Sequence, residues 1–438
     1  MKAELVPGAG APRPLPGGLT LLAAPQPRAT LATARLALPS GAARSGLGKS
    51  GLAELAAQLL RRGSRGLDAK QVDEALEALG SDLYVGVDDD LLQLSITVPP
   101  GSLLAAARLL VRLVRFPSYP AREVSALKKR SLAQIRAGLD EADQLADRAL
   151  WREIFSGHPY ADPVDGWLRD VSRLSRRDLV LHHAGQHGFA GGCLALVGRL
   201  PDGATDRIAR LFSGRGDGEP PARLPSPRPL EGRRVLVVDK PDATQAQIRL
   251  GAPGISFGEP SQVACALGAG LLGGGFSSRL VGEVRVKRGL TYGISARFQL
   301  RDAGGLFAIR SFTRVAEAAT LVQVCLDETE RLRTEGPNED ELERVRAYAR
   351  GSFLLGSETP GQIAGTLAGA FCHGLGADWI ARYPKLLEET PLEAVAAALR
   401  EKLWPGPYRI VAVGPGRALA RALAKFGDVE VVPLRSLA

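Results

Sequence analysis

The sequence predicts an α+β protein of two similar domains, each a mixed or antiparallel sheet covered by helices. Three observations carry that expectation. At 438 residues the chain exceeds what one ordinary core organises. A single proline-rich stretch, 215–231 with Pro220, Pro221, Pro225, Pro227 and Pro229, interrupts it near the middle. The order of strand and helix patterns before that stretch then recurs after it. LALVG ending at Gly198 is matched by IVAVG ending at Gly414, 216 residues on, and LLRRG ending at Gly63 by LLGGG ending at Gly275, 212 residues on. The expected organisation is a first domain over 1–214, a linker over 215–231 and a second domain over 232–438, related by internal duplication.

In the first half, Leu19–Leu38 reads as two strands around the Pro25-Gln26-Pro27 turn. Gly51–Arg62 has Leu52, Leu55, Ala56, Leu59 and Leu60 on one helical face. A second helix runs from an acidic cap at Asp68 to Leu79, with Gly80 behind it. Two strands over Leu83–Val98 flank the turn Asp88-Asp89-Asp90. Helices are expected over Ser102–Val114, as one long charged helix over Arg122–Trp151, and over Arg177–His187. The strand CLALVG follows.

In the second half, VLVVD and QAQIRLG read as strands. An apolar helix, Pro260–Leu272, is broken by Gly273, Gly274 and Gly275, and a second segment, Ser277–Lys287, follows at once. Glycines between helices point to a tight turn and, in some proteins, to an amide nest for an anion. Strands are expected at Thr291–Phe298 and Leu306–Phe312, helices at Val315–Thr334 and Asn338–Leu355, and then helix, strand YRIVAVG and helix to the end.

Composition excludes several functions. The net charge of +9 is mild for this length, basic residues are scattered and aromatics are 5%, so no stacking platform for nucleic acid is expected. Cys193, Cys265, Cys325 and Cys372 lie far apart with no CxxC pair, which argues for buried thiols over a zinc knuckle or disulfide framework. No apolar run reaches the roughly 18 residues of a membrane span. The first residues lack a secretory core, so a cytoplasmic location is expected, or a periplasmic one if a signal peptide has been removed.

The strings VDKPDATQAQIRLGAPG and LLGGGFSSRLVGEVRVKRGLTYGISARF closely resemble the C-terminal domain of M16 family metallopeptidases, the pitrilysin and mitochondrial processing peptidase group. LPSGAARSGLGKSGLAELAAQLLRRGS falls where that family has its strand, loop and zinc helix, and GHPYADPVDG where it has a similar loop. The resemblance covers nearly all of 15–435 and implies two similar domains. Active members carry HxxEH, two histidines on one metal with a glutamate that activates the bound water. Here the corresponding residues are Glu54, Ala57 and Gln58. Ala57 cannot act as a base and Gln58 is a poor zinc ligand. The family's third ligand falls near Ala133-Gln134, again without a charge. The resemblance therefore implies no metal and no cofactor in this chain, and a chain inactive alone.

The second domain keeps the family's arginine and tyrosine seven residues apart, Arg285 and Tyr292. By resemblance, that pair reaches a substrate at a zinc site on the first domain. A guanidinium grips carbonyls or carboxylates in a fixed fork, and a phenol donates to a developing oxyanion. The implied function is the non-catalytic, substrate-binding subunit of a heterodimeric zinc peptidase. Its partner would be an M16 chain that contains HxxEH and holds the zinc, and its substrate a peptide. A structural homologue with no part in proteolysis is the alternative, and a peptidase active alone with an unusual metal set the third reading.

Three other patterns carry weaker readings. GLGKSG at Gly46–Gly51 lacks the first glycine of a phosphate loop, because position 43 is Ala. His183 and His187 stand one turn apart beside His182, a metal pair without a neighbouring carboxylate. On the helix over Arg122–Trp151, Arg136 and Asp140 read as an i,i+4 pair, and Asp143 and Asp147 as part of a solvated face.

Overall fold

The computed structural model describes residues 10–214, 219–404 and 406–437. In chain order it runs β1 Arg13–Pro14, β2 Thr20–Pro25, β3 Ala32–Leu38, α1 Leu52–Gln58, α2 Ala69–Ala78, β4 Leu83–Val87 and β5 Leu92–Val98. Then come α3 Leu103–Arg115, α4 Ala121–Gly138, α5 Ala142–Ile154, α6 Leu168–Arg173, α7 Arg176–Gln186, β6 Cys193–Gly198 and α8 Ala204–Phe212. The second half has β7 Arg234–Asp239, β8 Gln245–Pro253, α9 Gln262–Gly273, a π-helical turn Val281–Lys287, β9 Ile294–Gln299 and β10 Leu306–Arg314. It ends with α10 Ala318–Glu335, α11 Glu339–Leu355, α12 Pro360–Cys372, α13 Trp379–Glu389, α14 Leu392–Lys402, β11 Arg409–Gly414, α15 Gly416–Leu423 and β12 Asp428–Pro433. Of the expected linker, 215–218 lie outside the described residues, and 219–231 carry neither helix nor strand.

Two six-stranded mixed sheets form, in the orders β1-β2-β6-β3-β5-β4 and β12-β7-β11-β8-β10-β9. Five strands correspond one to one. The β2·β6 and β7·β11 pairs are parallel, and β6·β3, β3·β5 and β5·β4 are antiparallel like β11·β8, β8·β10 and β10·β9. The sixth strands differ: β1 pairs antiparallel to β2, whereas β12 pairs parallel to β7. The α+β duplication read from the sequence is thus present in the pairing pattern.

The chain forms two compact units, and each holds a helical excursion from the other half. One unit comprises the chain through Ala133, Pro163–Arg223 and Phe353–Tyr383; the other comprises Gln134–Asp162, Leu224–Ser352 and Pro384 onward. In the first unit α12 lies on β3 and β6. Its Ile363, Ala364, Leu367 and Ala368 are buried with Leu22, Ala37, Ala195 and Val197. In the second, α5 lies on the equivalent strands, β8 and β11, and buries Leu145, Ala146, Ala149, Leu150 and Ile154. Each large aliphatic side chain so buried contributes about 1.5–3 kcal/mol.

The long helix expected over Arg122–Trp151 is two helices, because Gly138 and the turn through Glu141 end α4 before α5 begins. Arg136 and Asp140 therefore do not share a helix. Of the face expected in solvent, Asp143 is exposed, with 63% of its side chain in solvent, whereas Asp147 is half-buried, and both are paired. Asp147 accepts from Arg249 Nε at 2.6 Å and pairs with Arg310, while Asp143 pairs with Arg249. Arg249, on β8, is 1% exposed. Its guanidinium also donates to the carbonyls of Asp143, Ile248 and Ser311 at 3.0, 3.1 and 3.3 Å. A guanidinium buried in a core is tolerated only with this saturation.

Candidate functional site

In the first unit the relevant helix is α1. Gly51 caps it in the left-handed conformation (φ 82°) and packs so closely on the Asp165 carbonyl that a Cβ would approach it to 2.8 Å. Leu52, Ala53, Leu55, Ala56 and Ala57 are buried. Ala57 therefore presents only a methyl group to the packed side of the helix. Glu54 and Gln58, one turn apart and half-buried, are joined to each other: Gln58 Nε2 donates to Glu54 Oε1 at 3.0 Å and to the Val85 carbonyl at 3.5 Å. Burial raises the Glu54 pKa, opposed by the Gln58 hydrogen bond and assisted by Asp165. The donor set does not fit a zinc ion, since a carboxamide is a poor ligand and Ala57 supplies no base. Gln134, on α4, is exposed.

In the second unit the glycines of α9 serve close packing. None of Gly273, Gly274 or Gly275 has a positive φ, so the anion nest that the sequence raised does not form there. A Cβ on Gly273 would lie 2.5 Å from the Ala296 nitrogen of β9, and one on Gly274 2.6 Å from Gly270 Cα. The chain then enters the π-helical turn that carries Arg285, a rare geometry often found at functional sites. Gly289, at φ 60°, reverses the backbone, and its N–H bonds the Arg285 carbonyl at 3.2 Å.

Tyr292 precedes β9 instead of lying in it, and its side chain is 77% exposed. Its backbone is nevertheless pinned on both sides. Thr313 Oγ1 donates to the Leu290 carbonyl at 2.6 Å, and Ser311 Oγ to the Gly293 carbonyl at 2.9 Å. The Arg285 guanidinium lies 4.5 Å from the Tyr292 ring centroid and 5.5 Å from that of Phe276. Glu283, the nearest acid in sequence, is taken by Lys287 and Arg288. Among the described residues, Arg285 makes no ion pair. The structure thus brings Arg285 and Tyr292 together and adds Phe276, which no spacing in the sequence singles out from the glycine turn. The arrangement is a cation held between two exposed aromatic faces, with its N–H donors free for a carbonyl or carboxylate.

The weaker patterns are built into structure. Lys49 Nζ donates to Asp178 at 2.8 Å and Ser50 Oγ to Asp170 at 2.8 Å, so the GLGKSG loop is tied to α6 and α7. Lys49 and Ser175 hold the Asp178 carboxyl at about 2. His183 Nε2 is bonded to the Val114 carbonyl at 2.7 Å. The His182 and His183 rings each pack edge-on against His187, at 5.3 and 5.1 Å. The acidic turn closes on itself, with Asp88 Oδ1 accepting from the Asp90 and Leu91 N–H groups at 2.9 and 2.7 Å.

Residues 193–348 match the family model described as the peptidase M16 inactive domain. An uncharacterized zinc protease of Mycobacterium leprae is 24% identical over 350 residues, covering 78% of each chain. A Helicobacter pylori protein named a non-peptidase homolog is 26% identical over 349 residues, covering 78% of this chain and 79% of that one. Among solved structures, a peptidase M16 inactive domain from Pseudomonas fluorescens superposes with a TM-score of 0.87 at 26% identity, over 93% of this chain and 98% of that one. A protease from Helicobacter pylori has the same fold, at a TM-score of 0.86 and 17% identity, over 94% and 100% of the two chains.

Proposed function

We propose, from the premise that the chain is an M16 peptidase homologue, that it is the non-catalytic, substrate-binding subunit of a two-chain zinc peptidase. The observation that carries this reading is a contrast between two places in one chain. On α1 the metal positions hold a hydrogen-bonded Glu54–Gln58 pair with Ala57 between them. Beyond α9, the Arg285 guanidinium lies over the Tyr292 ring, the Ser311 and Thr313 hydroxyls pin the backbone on either side of that tyrosine, and among the described residues Arg285 makes no ion pair. Such an arginine costs conformational freedom without contributing a salt bridge, which is reasonable for a group that meets its partner only in a complex. Arg285 would take substrate carbonyls, and Tyr292 would donate to the oxyanion that forms at a zinc held by an HxxEH-containing partner.

The test is reconstitution. The chain is mixed with an HxxEH-containing M16 chain from the same source, and peptide turnover is compared with that of each chain alone. Turnover that requires both chains, and falls in Arg285→Ala and Tyr292→Phe complexes that still assemble, is the expected result. A scaffold with no role in proteolysis is the second reading, favoured by the name of the Helicobacter pylori relative. Turnover unaffected by either substitution would select it.

A further inference from the structure

A pocket of about 460 Å³ opens in the second unit between α9, β9 and α11. Its floor is α9, where Ala266, Ala269 and Gly270 line it. These three stand 212 residues after Glu54, Ala57 and Gln58, the offset at which LLRRG recurs as LLGGG. Where α1 projects a carboxylate and a carboxamide, α9 projects a methyl group and a hydrogen, and the missing side chains leave room. The walls are aromatic: Phe276, Phe298 and Tyr348. Phe298 is seated against Phe307 at 4.8 Å between centroids, whereas Phe276 and Tyr348 are 73% and 62% exposed.

Two guanidinium groups, Arg297 and Arg344, also line the pocket, and no carboxylate does. Arg297 makes no hydrogen bond or ion pair among the described residues. Arg344 has only the longer-range field of Glu341, whose carboxylate is gripped by both Nε and Nη2 of Arg279, each at 2.8 Å. An apolar cavity lined by two unneutralised cations suits a ligand with an apolar body and an anionic end.

The position of β9 decides which ligand. It is the last strand of its sheet and, among the described residues, has no strand partner but β10, so its outer edge can take an added strand. Ala296, Arg297 and Phe298 of this edge strand are themselves pocket residues. We infer that the pocket binds the C-terminus of an extended peptide, its last apolar side chain between α9 and the aromatic walls, its α-carboxylate on Arg297 and Arg344, and its backbone along β9. This site is complete in one chain and does not rest on the two-chain peptidase reading.

The experiment is fluorescence anisotropy on the full-length chain with a fluorescein-labelled hexapeptide that ends in phenylalanine. The free acid, the C-terminal amide and the same peptide ending in aspartate are titrated in parallel. The acid is expected to bind saturably and the other two about tenfold more weakly or worse. Arg297→Gln and Arg344→Gln, both at exposed positions, should each weaken the acid and leave the amide unchanged. Ala266→Trp, on the exposed edge of α9, should fill the pocket and weaken the acid at least about tenfold. Equal binding of acid and amide, no saturable binding, or indifference to both arginine substitutions would overturn the proposal. Displacement of the peptide by laurate at equal potency would also overturn it and mark a fatty-acid site instead.

Discussion

The guanidinium of Arg285 lies 4.5 Å from the centre of the Tyr292 ring, although seven residues and a left-handed glycine separate them. Charge alone does not account for the arrangement, since a planar cation stacks on a ring face in a way an ammonium does not. Arg285→Lys should therefore behave almost as Arg285→Ala in a reconstituted peptidase, with turnover down about tenfold or more. The stability of the free chain should change by less than about 0.5 kcal/mol, because the site is exposed. Peptide turnover and thermal melting of the same variant check both halves. A lysine variant with full turnover would show that only charge is needed there.

Much of this was legible in the sequence for local reasons. Apolar alternation gives β8 and β11, and the glycine interruption gives the end of α9. The spacing from Arg285 to Tyr292 can be counted directly. Phe276 and the pinning residues Ser311 and Thr313 could not be read, because they meet the loop through contacts that no periodicity encodes. The exchange of α5 and α12 is hidden for a related reason. A helical stripe such as Leu145, Ala149 and Ile154 says that a face is buried, but not against which strands. The same blindness hid the pairing of Asp143 and Asp147, since their partner Arg249 lies more than a hundred residues away.

Glu54 gives a pH-dependent test of the degenerate helix. Its pKa is raised by burial, so the folded chain holds this proton more tightly than the unfolded chain does. Stability from this group is full below the unfolded pKa and is lost as pH rises through the folded one. Glu54→Gln, whose amide oxygen still accepts from Gln58, should gain about 0.5–1 kcal/mol at pH 8 and nothing at pH 4. Melting curves at the two values suffice. An equal gain at both would remove ionisation as the cause.

The buried arginine predicts a large asymmetry between two neighbours. Arg249 is enclosed, whereas the Arg310 side chain, which shares Asp147, is 41% exposed. Arg249→Ala should cost about 3–5 kcal/mol, because it leaves buried carbonyls without their donor and Asp147 with only the more exposed Arg310. Arg310→Ala should cost under about 1 kcal/mol. Urea unfolding of the two variants measures the difference, and similar midpoints would contradict the assignment of Arg249 as the centre of the network.

The histidine cluster sets a limit on acid stability. His182 and His187 are 6% and 5% exposed, and His182 Nε2 and His187 Nδ1 have no hydrogen-bond partner. The His183 ring packs on His187, the Tyr119 ring packs edge-on against His183, and Lys49, paired with Asp178, acts on His182. Burial lowers all three histidines. His182 falls from 6.5 to about 4, and Lys49 adds to its shift. The unfolded chain then binds more protons than the folded chain between those values, so stability rises with pH across that window. For His182 alone the loss reaches roughly 3 kcal/mol by pH 4, and above pH 6.5 it vanishes. Replacing the neighbour, as His187→Leu, removes one buried imidazole, whose own pKa burial lowers, at similar volume. The variant should lose fewer degrees of melting temperature than the natural chain when pH drops from 7 to 5. Parallel slopes for the two proteins would mean that the acid sensitivity arises elsewhere in the chain.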